Sequence, residues 1–195
     1  IKRHHRGEVS LASLVSVFRA ACRAVAHAHA RGVIHRDLKP ANIMISRQGQ
    51  VLVLDWGLAR VQGSMSDDEP VETGRSELHA TRVGAVMGTP AYMSPEQAYG
   101  LSDRVDARSD VYALGAVLYE ILTGSPPYTE RGGEPVLQQV LAGPPPPVSR
   151  GPATLQAICH RAMARERDER FADAAALAAS VSAVLTPPAG PVALR

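Results

Sequence analysis

An acid, two strong bases and an amide crowd into one short stretch, His35-Arg36-Asp37-Leu38-Lys39-Pro40-Ala41-Asn42. Pro40 lacks an N–H and fixes φ, so a regular helix cannot run through it. The stretch reads as a rigid loop that presents polar groups. Two apolar runs follow, Ile43-Met44-Ile45 and Val51-Leu52-Val53-Leu54, on either side of Ser46-Arg47-Gln48-Gly49-Gln50. Short apolar runs around a Gly-containing turn predict a β-hairpin. With the turn centred on Gln48-Gly49, antiparallel pairing sets Ile45 opposite Leu52, Ile43 opposite Leu54 and Asn42 opposite Asp55. An amide oxygen and a carboxylate then meet at the open end of the hairpin. Hard oxygen ligands beside phosphates suit Mg²⁺.

The loop is the first of four ordered motifs. The others are Asp55-Trp56-Gly57, the run from Gly88-Thr89-Pro90 to Ser94-Pro95-Glu96, and Ser109-Asp110-Val111-Tyr112-Ala113-Leu114-Gly115. In order and spacing they resemble the protein kinases. The resemblance runs from about Leu11 to about Leu185 and covers only the larger, C-terminal lobe. It implies a kinase-like α+β fold, a mainly helical C-lobe with a small β-hairpin carrying the catalytic loop and Asp-Trp-Gly. Residues 1–186 would form that lobe and 187–195 a Pro-rich linker or tail.

The resemblance also implies roles. Asp37 would take or orient the proton of a substrate hydroxyl, because that hydroxyl loses it as it meets the γ-phosphate of ATP. Lys39 would neutralise charge on the transferred group, and its presence there resembles serine/threonine rather than tyrosine kinases. Asn42 and Asp55 would hold Mg²⁺ against the nucleotide phosphates. Trp56 in place of the usual Phe keeps a large apolar plug. Thr89 matches the residue that hydrogen-bonds the catalytic Asp and Lys. Arg36 would dock an activation-loop phosphate, since guanidinium pairs bidentately with phosphate. Thr81, eight residues before Thr89, matches a phosphorylated Thr of bacterial kinases, with Thr73 and Ser76 as rivals. Glu96 would pair with a buried Arg170, and Asp110 would hydrogen-bond the backbone of the His35–Asp37 loop.

Composition adds limits. The 195 residues carry a net charge of +2, enough for one domain or lobe with a real core. No basic run is interleaved with aromatics, so nucleic-acid binding is not supported. Cys22 and Cys159 fit no metal or C-x-x-C spacing and read as free core thiols of a reducing, cytoplasmic compartment. No apolar run reads as long enough to cross a bilayer, and the start has no signal-peptide core.

The positioning elements follow from periodicity. Leu14, Val17, Phe18, Ala21, Val25 and Ala28 recur at helical steps, so Ser10–Ala30 reads as a helix stopped by Arg31-Gly32. His27 and His29 point to different faces and read as structural. Asp110–Leu122 reads as a second apolar helix, ended by Thr123-Gly124. Leu155–Met163 and Ala172–Leu185 read as the last helices. The stretch from Val61 to Met87 has no periodicity and reads as a long mobile loop, in the family the activation segment. Gly143–Pro147 reads as a rigid connector.

A complete kinase also needs a Gly-rich phosphate loop, a strand Lys and a helix Glu that pairs it. No G-x-G-x-x-G occurs, and the only lysines are Lys2 and Lys39. Two readings compete. The chain is a fragment that an N-lobe completes in cis, acting on Ser/Thr of protein substrates. Alternatively, it is a non-catalytic kinase-like binding module. Retention of every C-lobe catalytic position favours the first.

Overall fold

The computed structural model describes residues 1, 7, 9–61, 89–130 and 134–185. Ser10 opens the first helix, α1 (Leu11–His29), by accepting the Ser13 N–H on its hydroxyl, as N-cap serines do. Gly32, at φ 71°, ends it. The buried stripe is Val15, Phe18, Ala21, Cys22 and Val25, rotated slightly from the expected one. With 19 residues at mean hydropathy 1.2, α1 is long and apolar enough to cross a membrane by length and composition alone, as the core helices of soluble proteins can also be. That corrects the expectation that no apolar run is long enough. In this fold its apolar stripe is spent on the core.

Strand β1 (Val33–Ile34) leads to the polar loop, a short 3₁₀ turn at Pro40–Asn42, and the hairpin of β2 (Ile43–Ile45) and β3 (Val51–Val53). Pro40 stands at the first position of that turn, where a missing N–H costs nothing. The hairpin exists, but its register is corrected by one residue. Ile43 faces Val53, Met44 faces Leu52 and Ile45 faces Val51. The cause is an odd loop. Ser46 N donates to the Gln50 carbonyl and Gly49, at φ 81°, donates back to Ser46. Three residues, Arg47-Gln48-Gly49, therefore close the turn with Gly in the left-handed position. A one-residue shift moves every pairing, so Asn42 stands across from Leu54, whose N–H donates to the Asn42 carbonyl at 2.8 Å. Asp55 lies one residue further on. Strand β4 (Arg60–Val61) returns to pair with β1, a pairing that periodicity did not indicate.

After a 3₁₀ turn at Pro90–Tyr92 comes α2 (Pro95–Ala98), then α3 (Ala107–Thr123), α4 (Val136–Ala142), α5 (Ala153–Ala162) and α6 (Ala174–Leu185). Helix α3 starts three residues before the expected Asp110, because Asp106 and Ser109 form a capping box. Gly124, at φ 88°, closes it. Nearly every side chain of α3 is buried, so it is the central helix of the lobe. Helix α1 packs chiefly on α6, and α3 on α5. The Pro-rich connector is pinned rather than loose. The Gly143 carbonyl accepts the Tyr128 hydroxyl at 2.8 Å, and buried Val148 donates its N–H to His160 Nε2 at 3.0 Å.

Cys22 and Cys159 are free and buried. Burial pushes the Cys159 thiol up to about 12 and the Cys22 thiol higher still, so both are inert packing groups.

One contact tests the α3–α5 packing. A Cβ on Gly115 would lie 2.7 Å from Met163 Cγ and 2.8 Å from Ala162 Cβ. Gly→Ala in a helix ordinarily stabilises by roughly 0.5–1 kcal/mol, whereas overpacking a core costs roughly 1–3 kcal/mol. The clash should win, so Gly115→Ala is expected to lower the urea midpoint. An unchanged or raised midpoint would show that α5 can retreat at no cost.

Candidate active site

Asp37 is the centre of the polar loop. Its Oδ1 accepts from the Thr89 N–H at 2.9 Å and the Thr89 hydroxyl at 3.1 Å. Its Oδ2 accepts from Lys39 Nζ at 2.6 Å. Lys39 Nζ also donates to Thr89 Oγ1 at 2.8 Å, closing a triangle across residues far apart in sequence. The carboxylate is thus aimed and charge-balanced while remaining partly accessible. The Asp37 carbonyl accepts from Asn42 Nδ2 at 2.8 Å. That bond orients the buried Asn42 amide and leaves Oδ1 as the end suited to a cation.

Asp55 is exposed and sits at φ 61°, while Arg36 sits at φ 71°. Left-handed backbone costs a non-Gly residue roughly 1–2 kcal/mol and gathers at functional sites. Here the surroundings hold both residues. Asp110, buried at the start of α3, accepts from the His35 N–H at 2.8 Å and the Arg36 N–H at 2.9 Å. The same carboxylate takes His29 Nε2 at 2.9 Å. His29 Nδ1 accepts from the Ala174 N–H. This fixes the proton on Nε2, so a neutral imidazole bridges α6 to the loop.

His35 is fully buried, its Nε2 donating to the Leu54 carbonyl at 3.0 Å while Nδ1 accepts the Asp37 N–H. It ties the loop to the strand end that carries Asp55. The Trp56 ring packs on His35 with centroids 4.5 Å apart, and its Nε1 donates to the Val53 carbonyl. The indole therefore fills the plug position with its one donor satisfied.

Glu96 and Arg170 form a two-pronged buried pair at 2.8 and 3.0 Å, away from the Asp37 triangle. The neighbouring Gln97 connects the two regions. Its Nε2 donates to the Arg36 carbonyl at 2.7 Å, and its Oε1 accepts from the Ser94 N–H and hydroxyl. Motif reading passed over Gln97, although Ser94-x-x-Gln97 is the signature of a capping box. Thr81, and its rivals Thr73 and Ser76, lie outside the described residues, as do the Val61–Met87 stretch beyond Val61 and the expected tail at 187–195.

A loop carboxylate clamped by a lysine and a threonine, a buried amide bonded to the same loop and an exposed second carboxylate two residues past β3 stand on a mainly helical body. The chain belongs to the protein kinase family, whose domain profile matches residues 2–179. It is 42% identical over 199 residues to serine/threonine-protein kinase PknB of Mycobacterium tuberculosis, covering 98% of this chain and 29% of that protein. PknB of Mycolicibacterium smegmatis is 42% identical over 184 residues, covering 91% of this chain and 27% of that protein. PknD of Protochlamydia amoebophila is 43% identical over 123 residues, covering 61% of this chain and 12% of that protein. The chain thus spans less than a third of the length of these curated relatives.

Proposed function

We propose that this chain is the C-lobe of a serine/threonine protein kinase that transfers the γ-phosphate of ATP to Ser or Thr hydroxyls of proteins, completed by an N-lobe in cis. The observation that carries it is the Asp37 carboxylate held between Lys39 and Thr89, its side chain still 10% exposed. Such a group can accept a hydroxyl proton at hydrogen-bond range. Lys39 spreads positive charge where the transferred group gains negative charge. The serine/threonine preference rests on Lys39 and on the printed names of the relatives. A cytoplasmic location agrees with two free, buried thiols. The non-catalytic alternative gains no support from the site, because Asp37, Lys39, Asn42 and Asp55 are all present.

The donor set fits Mg²⁺, which takes hard oxygens and keeps part of its shell for phosphates and water. Asn42 Oδ1 and the exposed Asp55 carboxylate would hold it, and bound Mg²⁺ would offset phosphate charge. Asn42 orients its amide through Asp37. Asp55 keeps its side chain available because its backbone position is fixed through Leu54 and His35.

Arg36 supports a regulatory reading. Its Nε is buried and lacks a hydrogen-bond partner among the described residues. Burial and the nearby Arg60 charge push its guanidinium below the usual value, with Asp110 opposing. Two cations and an orphan donor suit a phosphate, and Thr81 is the phosphate carrier we propose.

The test uses the full-length protein and radiolabelled ATP. Transfer to a protein substrate should yield phosphoserine or phosphothreonine. Asp55→Ala should abolish the Mg²⁺-dependent part of that transfer. An unchanged MgCl₂ titration curve would rule out the assigned role of Asp55, and absence of any transfer by the wild type would sink the kinase proposal.

A further inference from the structure

Helices α1 and α6 contain no acidic residue between them. Arg19, Arg23 and His27 lie four residues apart along α1, and Arg31 continues the row beyond its end. Side chains at this spacing form one ridge along a helix. Arg23 and His27 are exposed, and Arg31 donates to the His27 carbonyl at the foot of the helix. Of the two histidines that read as structural, His29 is held between Asp110 and the Ala174 N–H, whereas the His27 side chain is exposed. None of Arg19, Arg23 and His27 takes part in an ion pair among the described residues. Arg19 Nε is buried without a hydrogen-bond partner there.

Beside this ridge runs a groove of about 480 Å³, lined by Arg23, Ala26 and His27 of α1 and by Ala175, Ala178, Ala179 and Ser182 of α6. Its floor is small side chains, so a peptide backbone can come close without displacing anything. Its wall carries the Arg23 cation and the His27 imidazole, neither in an ion pair among the described residues. We infer that the α1–α6 groove is a docking surface for an acidic peptide segment of a partner protein, whose carboxylates meet Arg23 and His27. Charge complementarity selects that partner. The groove has no aromatic platform for stacking bases, and the ridge is sparser than the clusters of roughly 4–8 basic residues that hold anionic membranes. From Arg19 to His27 the helix axis rises by roughly 12 Å, which an extended segment of about six residues spans with room at each end. The surface is separate from the Asp37 triangle, so this inference stands apart from the phosphoryl-transfer reading.

The test is fluorescence anisotropy on the full-length protein with a fluorescein-labelled peptide of alternating Glu and Ala, about six residues long. Binding should weaken with added salt. Arg23→Glu combined with His27→Glu should weaken it by about tenfold or more, because reversed charges repel the ligand. The same double variant should gain affinity for the matching Lys-Ala peptide. Both sites are exposed, so the melting temperature and basal phosphoryl transfer should not change. Unaltered affinity in the double variant would overturn the inference, placing the peptide elsewhere. So would equal binding of a Gln-Ala peptide, or tighter Arg23-dependent binding of a single-stranded oligonucleotide or a phosphatidylserine vesicle.

Discussion

Asp37→Asn in the full-length protein is expected to lower phosphoryl-transfer turnover by about 10²–10⁴ while leaving the fold intact. The magnitude is the usual contribution of a positioned general base. The structure says why folding should survive. Asn keeps an oxygen that can accept from the Thr89 N–H and hydroxyl, the two bonds now made by Oδ1. The other oxygen, which takes Lys39 Nζ at 2.6 Å, becomes an amide that cannot accept. Lys39 then keeps only Thr89 Oγ1 and the hydroxyl proton has no carboxylate to go to. A Lys39→Ala change should act differently, removing charge stabilisation but leaving the base. Steady-state transfer assays with unfolding curves on each variant separate these effects. Turnover of Asp37→Asn within a few-fold of wild type would exclude Asp37 from the proton transfer.

The effect should also depend on the buttress behind the loop. Asp110 orders His35 and Arg36 through their backbone N–H groups. Asp110→Asn can supply only one accepting oxygen where two are used. A small misplacement of the base is enough to reduce rate, so that variant belongs with the positioning residues.

The loop of the candidate site was legible in the sequence because its parts are local. His35 to Asn42 is one loop, and its polar types can be read directly. The register of the next hairpin was not legible, because loops of two and three residues both contain a Gly in this stretch. Only the left-handed Gly49 and its bond to Ser46 decide between them. The β1–β4 pairing joins two-residue strands separated by other elements, too short to show periodicity. Helix α4 was passed over although Val136, Leu137, Val140 and Leu141 carry a helical spacing, since Pro135 and Gly143 shorten it to seven residues. The role of His29 needed the fold itself, which brings α1, α3 and the start of α6 to one imidazole. The Glu96–Arg170 pairing came from the motif, whereas the link through Gln97 to Arg36 came only from geometry.

The second large effect concerns that pair. Arg170 uses all five of its N–H donors. Nε and both Nη groups reach the carbonyls of Ala164, Arg108 and Arg165 as well as the two Glu96 oxygens. Glu96 also takes the Ser109 hydroxyl at 2.6 Å. Both partners are about as buried as the apolar core. Removing one partner of such a pair costs about 3–5 kcal/mol, because the survivor stays buried and uncompensated. The two single variants should differ. After Arg170→Met the orphaned Glu96 can escape by taking a proton, whereas after Glu96→Ala the Arg170 charge cannot be lost. Replacing both by apolar residues should cost less than the sum of the singles. Acid sensitivity follows from the same geometry. Burial by itself raises the Glu96 carboxyl, but the Arg170 hydrogen bonds and charge, with Ser109, outweigh it and hold the group below its ordinary 4.5. A depressed folded value means the stabilisation is full above the unfolded carboxyl value. It fades as pH falls from about 4.5 through the lower folded value. Urea midpoints measured from pH 7 down to pH 3 should therefore fall more steeply for wild type than for the double apolar variant. Parallel curves would show that the pair contributes nothing that protonation can remove.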